Sequence, residues 1–270
     1  MSRAASIILP AHNEAGYLGD CLNALFVGGI GQAEVIVVAN GCNDNTADIA
    51  RSFMARHPTL RVIDTPTGGK PNALRMGDAA AQHDTRIYLD ADVIVAPGLI
   101  PALIAVLSVD APRYASGTPQ VMHARSAITR AYARLWCTLP FMDSGAPGFG
   151  LFAMNGSGRA RWGAWPDIIS DDTFARLHFT PSERVQLSQT YGWPMVEGWR
   201  NLVKVRRRQD KGVAEIAGLY PGLLRNEAKQ PLGAGGVVRR ALRDPVGFCV
   251  YAAVSLAVKL PGQGGWTRGR

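Results

Sequence analysis

The chain has 270 residues, of which 47% are hydrophobic, so it is long enough to bury the core of one large domain, with or without an appendage. This composition, with ordinary Gly and Pro content, excludes a disordered or fibrous protein. The four cysteines form no CxxC pair and have no histidine partners at metal-binding spacing, which favours a reducing compartment.

The formal net charge of +8 is unevenly distributed along the chain. Residues 1–110 hold 7 Lys and Arg against 11 Asp and Glu, whereas residues 111–270 hold 22 against 10. The basic part therefore suits phosphates or an anionic membrane surface. No helix-turn-helix, zinc-finger or RNP-like motif is visible in the sequence, so no nucleic-acid partner is expected.

The first hundred residues alternate strand and helix patterns that are joined by short turns. The predicted strands are SIILP, EVIVV, LRVID and RIYLDADV. The predicted helices lie around Tyr17 to Phe26, from near Asp44 and Thr46, and from Lys70 to Ala81. This alternation predicts an α/β fold with a doubly wound, mostly parallel sheet.

Polar residues follow three of these strands, at the carboxyl ends where such sheets bind ligands. They are His12, Asn13 and Glu14 after the first strand, Asn40 after the second, and Asp90 and Asp92 after the fourth. Together they predict one rim of a binding site. The first strand is followed by PAHNEAG instead of GxGxxG, and no GxxxxGK[ST] loop occurs, which argues against a dinucleotide oxidoreductase and a P-loop enzyme.

Asp90 and Asp92 are separated by one residue at the end of an apolar strand pattern. In an extended strand, residues i and i+2 point to the same face, so the two carboxylates can converge on one cation. Oxygen ligands suit Mg or Mn, which typically bridge carboxylates to a substrate's phosphates. A solvated strand end is the other interpretation of a bare DxD pair.

Five segments in order resemble glycosyltransferase family 2 on the GT-A fold: ILPAHNEAGYL, VIVVANGCNDNTADIA, GGKPNALRMG, YLDADV and ISDDTFARL. The resemblance covers roughly residues 5–215. It implies a nucleotide-diphosphate-sugar transferase, usually inverting, with a divalent metal. It also implies a GT-A domain over residues 1–215, with a nucleotide half of about 1–110 and an acceptor half of about 111–215, followed by a helical extension over 216–270.

The resemblance assigns the nucleotide-binding residues of the first half. Pro10 to Glu14 match the segment that such enzymes place against the nucleotide, with Glu14 as a candidate for ribose or base contact. Lys70 falls in the GK element expected near the nucleotide or diphosphate. Ala39 and Asn40 stand where two aspartates are common; Asn40 can still bond a base edge, but the departure weakens any uridine preference.

The resemblance also assigns the metal and the catalytic carboxylates. Asp90 and Asp92 match the metal motif, with Asp92 as the direct ligand, and Asp171 and Asp172 stand where the family has its ED motif. Asp172 aligns with the catalytic aspartate, which takes the proton of the attacking acceptor hydroxyl. The metal neutralises charge on the leaving group. The other interpretation is that Ser170, Asp171 and Asp172 cap a helix.

The basic run Arg206 to Arg208 stands where family members often carry a QxxRW element, but no Trp follows it. Arginine forks suit diphosphate oxygens, so Arg206 and Arg208 are candidate donor ligands. A solvated basic helix face is the other interpretation. The missing Trp argues against a processive polymer synthase.

The tail from Val246 to Val258 is uncharged but shorter than the ~20 residues that span a bilayer. Four basic residues bracket it, which favours a helix in the membrane interface over a spanning one: Arg239, Arg240, Arg243 and Lys259. A buried core helix is the alternative. The sequence therefore predicts a cytoplasmic protein with peripheral contact, through residues 245–260, at the inner face of the membrane.

The expected function is transfer of a sugar from a nucleotide-diphosphate donor to a hydroxyl of an acceptor sugar or lipid-linked acceptor, in the synthesis of cell-surface polysaccharide or glycolipid. Two alternatives stay open. One is a catalytically silent member that binds nucleotide or lipid. The other is a two-carboxylate glycoside hydrolase, which would need no nucleotide-binding rim.

Overall fold

The computed structural model describes residues 4–142, 145–228 and 231–260. The strands in these ranges are β1 (Ala5–Ala11), β2 (Glu34–Asn40), β3 (Leu60–Thr65), β4 (Thr85–Leu89), β5 (Ile94–Val95), β6 (Tyr114–Val121), β7 (Leu151–Met154) and β8 (Arg184–Trp193). The α-helices are α1 (Leu18–Val27), α2 (Thr46–Met54), α3 (Lys70–Ala80), α4 (Leu99–Leu107), α5 (Ala127–Trp136), α6 (Gly156–Arg159), α7 (Asp171–Leu177), α8 (Trp199–Leu219), α9 (Ala234–Arg243) and α10 (Pro245–Lys259).

All of these strands belong to one sheet with the order β3-β2-β1-β4-β7-β6-β8-β5. Strands β3, β2, β1 and β4 run parallel to one another, as the alternating pattern predicted, and β6 and β8 are also parallel to each other. Strand β7 runs antiparallel to both β4 and β6, which the pattern did not predict. The predicted α/β fold with a mostly parallel sheet is confirmed. Since β2 and β4 flank β1, a crevice opens beyond the carboxyl ends of β1 and β4.

The two faces of the sheet bury separate cores because side chains alternate along each strand. Ile7 and Leu9 of β1 pack with α1, α2 and α4, whereas Ile8 packs on the opposite face with residues of α3 and α7. Gly77 of α3 lies so close to β1 that a Cβ there would overlap Ile8 Cγ2. This close approach fixes α3 on the sheet and thereby fixes Lys70 at the start of α3.

The C-terminal helices are attached to the domain through a third core. Val254 of α10 is fully buried among Tyr132 of α5 and Leu202 and Val203 of α8. The boundary predicted at residue 215 falls inside α8. Among the residues that the structure describes, no helix combines the length and hydropathy needed to cross a membrane.

Candidate active site

A cavity of about 910 Å³ opens beyond the carboxyl ends of β1, β2 and β4. Every site residue predicted from the sequence lines it: Pro10, His12, Asn13, Glu14, Asn40, Lys70, Asp90, Asp92, Asp171, Asp172, Arg206 and Arg208. The residues that follow β1, β2 and β4 lie at one edge of the sheet, as expected for parallel strands. Helices α7 and α8 bring the last four from the second half of the chain.

The segment Pro10–Glu14 is tied to the loop that follows β2. His12 Nδ1 donates to the Asn40 carbonyl oxygen over 2.5 Å. The Asn43 backbone N–H donates to Asn13 Oδ1 over 2.7 Å. These bonds hold the two loops together as one wall of the cavity.

Asn40 is only 2% exposed, and its side chain bonds to backbone groups of three segments. Its Nδ2 donates to Ala11 O (2.8 Å) and Val38 O (3.3 Å), while its Oδ1 accepts from Gly69 N (3.0 Å). Gly69 precedes Lys70, so Asn40 helps to position this lysine. An aspartate could not make the two donated bonds. Contact of Asn40 with a base stays a prediction.

The DxD pair lies in a turn. Strand β4 ends at Leu89, and Val93 N donates to Asp90 O over 3.1 Å, which closes a turn over Asp90–Val93. The prediction that both aspartates lie on an extended strand is therefore wrong, because the chain leaves the sheet at Asp90. The turn still leaves Asp90 and Asp92 lining the cavity.

Lys70 links the two halves of the site. Its Nζ lies 2.8 Å from Asp90 Oδ1 and 3.0 Å from Asp171 Oδ2. Burial would lower the pKa of Lys70, but the charges of Asp171 and Asp90 hold it above its usual range. Burial raises the pKa of Asp171 to about 6, with Lys70 opposing the increase and the nearby charges of Asp172 and Asp90 adding to it.

Helix α7 presents both carboxylates of the DD pair from its first turn. Ser170 occupies the N-cap position, but its side chain makes no capping hydrogen bond. Asp171 is buried and pairs with Lys70, whereas Asp172 is half-buried and its Oδ1 accepts from Thr173 N over 2.6 Å. The acidic pair thus faces the cavity as well as starting the helix.

The three arginines of the basic run on α8 make different contacts. The Nη1 of Arg206 donates to the hydroxyls of Tyr132 (3.4 Å) and Tyr251 (3.3 Å), which joins α8 to α5 and α10. Arg207 donates to carbonyl groups at the end of α10. Arg208 is exposed and lines the cavity. Both predicted arginines line the cavity, and Arg208 is the more exposed of the two.

An aromatic wall, which the sequence analysis did not predict, lines one side of the cavity and is formed by Trp136, Phe141, Phe149 and Trp193. The rings of Trp136 and Trp193 stack with centroids 5.6 Å apart, and Phe149 contacts Trp193 edge-on at 4.9 Å. Separate elements contribute these residues, so no local motif joins them. The wall offers an apolar surface to a ligand.

The sequence also missed the arginine end of the cavity, formed by Arg176 of α7 and Arg184 at the start of β8. Arg176 makes a paired contact with Glu227, with nitrogen–oxygen distances of 3.1 and 3.0 Å. Only the fold brings the two arginines together, because they lie on different elements.

The fit to a divalent cation depends on Asp90 and Asp92. Across residues 4–142, 145–228 and 231–260, no group of three or more His, Cys, Asp or Glu side chains is arranged to hold a metal. Mg and Mn sites of this kind need only one or two carboxylates, because substrate phosphates and water complete the coordination. The two aspartates fit that donor set.

The fold is that of GT-A glycosyltransferases. The mannosyltransferase PcManGT from Pyrobaculum calidifontis, solved with GDP-Man and Mn2+, matches with a TM-score of 0.64 at 18% identity, over 97% of this chain and 77% of that one. Residues 6–134 match the family described as Glycosyl transferase family 2. This is the family that the sequence motifs predicted.

Curated relatives match part of the chain. Glycosyltransferase GlyG from Streptococcus pneumoniae is 30% identical over 104 residues, which is 38% of this chain and 35% of GlyG. Poly-beta-1,6-N-acetyl-D-glucosamine synthase from Staphylococcus epidermidis is 31% identical over 90 residues, or 33% of this chain and 22% of the synthase. The match thus spans about a third or less of each relative.

Proposed function

We propose that the protein transfers a sugar from a nucleoside-diphosphate donor to an acceptor hydroxyl, with inversion and with the help of Mg or Mn. One observation carries this proposal: Lys70 contacts both Asp90, which follows β4, and Asp171, which starts α7. A donor-side carboxylate and an acceptor-side carboxylate therefore meet at one point of the cavity. Inverting transfer needs the donor side and the acceptor side within reach of one sugar, with the leaving group and the base on its opposite faces.

The donor is bound by the first half of the site together with Arg208 of α8. Pro10 and Glu14 contact the nucleoside, and Lys70 and Arg208 contact the diphosphate. Asp90 and Asp92 hold the cation, which when bound neutralises negative charge on the departing diphosphate. PcManGT, which was solved with GDP-Man and Mn2+, supports this class of donor and metal.

The acceptor is bound by the second half. Asp172 takes the proton from the attacking hydroxyl, and Asp171 orients Lys70 through their ion pair. The aromatic wall covers the apolar side of the acceptor. A sugar or a lipid-linked sugar fits these surfaces, and the polysaccharide synthase among the relatives supports such an acceptor.

A donor screen tests the proposal. The protein is heated with a panel of UDP- and GDP-sugars, with and without Mn. A donor at 100 times its Kd stabilises the fold by about 2.7 kcal/mol, which raises Tm by about 5–10 °C for a protein of this size. We expect one nucleotide class to give this increase only with Mn. An unchanged Tm across the whole panel would contradict the proposal.

Two matched variants test the base. Asp172→Asn is nearly isosteric and should lose turnover by about 100-fold or more while donor affinity stays unchanged. Asp171→Asn should have a milder effect on turnover, because Asp171 acts through Lys70. If Asp172→Asn keeps at least half of the wild-type rate and Asp171→Asn abolishes turnover, the base is Asp171.

The same assays separate the two alternatives. A silent member would bind a donor but release neither nucleoside diphosphate nor glycosylated product. A glycoside hydrolase would release sugar from a glycoside without any nucleotide, which the nucleotide-binding rim disfavours.

We also propose peripheral membrane contact, at the inner face of a cytoplasmic membrane, through the α9–α10 surface. This surface consists of exposed apolar side chains: Val238, Leu242, Val246, Leu256 and Leu260. The inner face of α10 packs on the core, so α10 is a core helix that also carries an exposed apolar stripe. Exposed Arg239, Arg243 and Lys259 flank the stripe, and their charge favours an anionic lipid surface as its partner.

Vesicle binding tests this contact. Three basic residues contribute about 3 kcal/mol near an anionic surface, or on the order of 100-fold in affinity. Binding should therefore be stronger on anionic than on neutral vesicles and should weaken with salt. Leu242→Glu with Leu256→Glu should abolish it, whereas Val27→Glu, at an exposed site on α1, should not. Equal binding of wild type and double variant would contradict the contact.

A further inference from the structure

Arg184 is a buried arginine that lines the cavity, and one of its donors is unused. It is 7% exposed and lines the same cavity as Asp172. Its Nε and Nη2 donate to Phe179 O (3.1 and 2.7 Å), and Nη2 also donates to Asn226 O (2.5 Å). The Nη1 is buried and has no hydrogen-bond partner among the described residues. A buried donor left in this state is destabilising, and more so when the group is charged.

Arg184 also has no carboxylate partner within the described part of the chain. The two nearest candidates are committed elsewhere, since Glu183 pairs with Arg161 and Glu227 with Arg176. Burial and the adjacent charge of Arg176 lower the pKa of Arg184 to about 10. A buried guanidinium without a paired carboxylate is unfavourable, so Arg184 favours an added negative charge beside it.

The position of this charge relates it to the acceptor. Asp172 and Arg176 are four residues apart on α7, so they lie on the same face of the helix, about one turn or roughly 5–6 Å apart along its axis. The donor-side residues instead follow the ends of β1, β2 and β4. An anion at Arg176 and Arg184 would therefore lie beside the proposed base, on the acceptor side.

We propose that the arginine end of the cavity binds an oxyanion of the acceptor: a phosphate or carboxylate on the molecule whose hydroxyl is glycosylated. The inference rests on the proposed function, since it names a property of that acceptor. A guanidinium fork recognises either oxyanion through paired N–H donors. The Nη1 of Arg184 supplies the free donor, and Arg176, which is paired with Glu227, lies nearby.

Calorimetry at constant ionic strength tests the proposal with three probes. Glycerol 3-phosphate presents a free phosphate, glycerate a carboxylate and dihexanoyl phosphatidic acid a lipid phosphate, and glycerol is the neutral control. At least one anionic probe should bind, and Arg184→Lys should weaken it by 10-fold or more. Arg161→Lys is the matched control, because Arg161 has its own carboxylate partner, and it should leave binding unchanged.

Lys70→Gln separates this subsite from the donor site. Probe binding that survives in Lys70→Gln and is lost in Arg184→Lys supports the subsite. The opposite pattern would overturn it while leaving the proposed function intact, since the probe would then occupy the diphosphate position. If Arg184→Lys does not fold, Arg176→Lys replaces it in the same comparison. Failure of all three probes to bind wild-type protein would also overturn the subsite.

Discussion

Replacing Asn40 with aspartate tests whether this side chain positions the backbone of the site. Asn40→Asp keeps the shape and restores a residue common in the family, but it removes the donors to Ala11 O and Val38 O. Two lost hydrogen bonds and two carbonyl groups left facing a buried carboxylate cost about 3 kcal/mol or more. For a protein of this size the Tm should fall by about 6–12 °C.

The pH dependence gives the sharper test. Burial beside two carbonyl oxygens raises the pKa of the introduced carboxyl in the folded state above its unfolded value. The folded state then holds the proton more tightly, so the variant loses stability as pH rises between the two pKa values. Calorimetry at pH 8 and pH 5 should show the larger deficit at pH 8. Asn13→Asp, on the exposed loop nearby, is the control. A Tm of Asn40→Asp within about 2 °C of wild type at pH 8 would refute the argument.

Three further predictions follow from individual contacts. Asp92→Ala should abolish the Mn-dependent binding of UDP or GDP that calorimetry measures. The Tm should not fall, since Asp92 lies on a turn outside the core. Unchanged binding would contradict the role of Asp92 as a metal ligand. Asp78→Asn should lower the free energy of unfolding by about 3 kcal/mol or more, because the Asp78 carboxylate pairs with Arg159. Urea unfolding measures this loss. Arg161 lowers the pKa of Glu183 to about 2 from its usual 4.5, so this pair stabilises the fold above pH 4.5 and loses its effect as pH falls towards 2. Glu183→Gln should therefore be about 1 kcal/mol less stable than wild type at pH 7 and equal to it near pH 2 in denaturant titrations; a constant difference would be inconsistent with this.

The nucleotide half could be predicted from the sequence because its structure follows from local patterns. Each strand of β1 to β4 is a short apolar run, and parallel strands share one edge at their carboxyl ends. Residues as distant as His12 and Asp90 therefore meet without any information about long-range contacts. The error at Asp90 is also local, since one turn bond to Val93 decides where the strand ends.

The acceptor half could be predicted less well because distant segments build it. Strand β7 has four apolar residues, which carry no signal of its direction between β4 and β6. Trp136 and Trp193 come from α5 and the end of β8, and Arg176 and Arg184 from α7 and the start of β8. Residues 246–258 of α10 are all uncharged, so only the packing of the helix distinguishes buried Val254 from exposed Leu256.

The charge balance of the cavity connects these parts. Seven carboxylates line it, those of Glu14, Asp90, Asp92, Asp171, Asp172, Asp210 and Glu227, and Lys70 contacts two of them. A nucleoside diphosphate adds further negative charge to the same place, where partial burial strengthens repulsion. We therefore expect donor binding to be coupled to Mg or Mn, each increasing the affinity for the other. Titrating the donor in Mn and again in EDTA measures this coupling, and equal affinities would show that Lys70 and the arginines alone balance the charge.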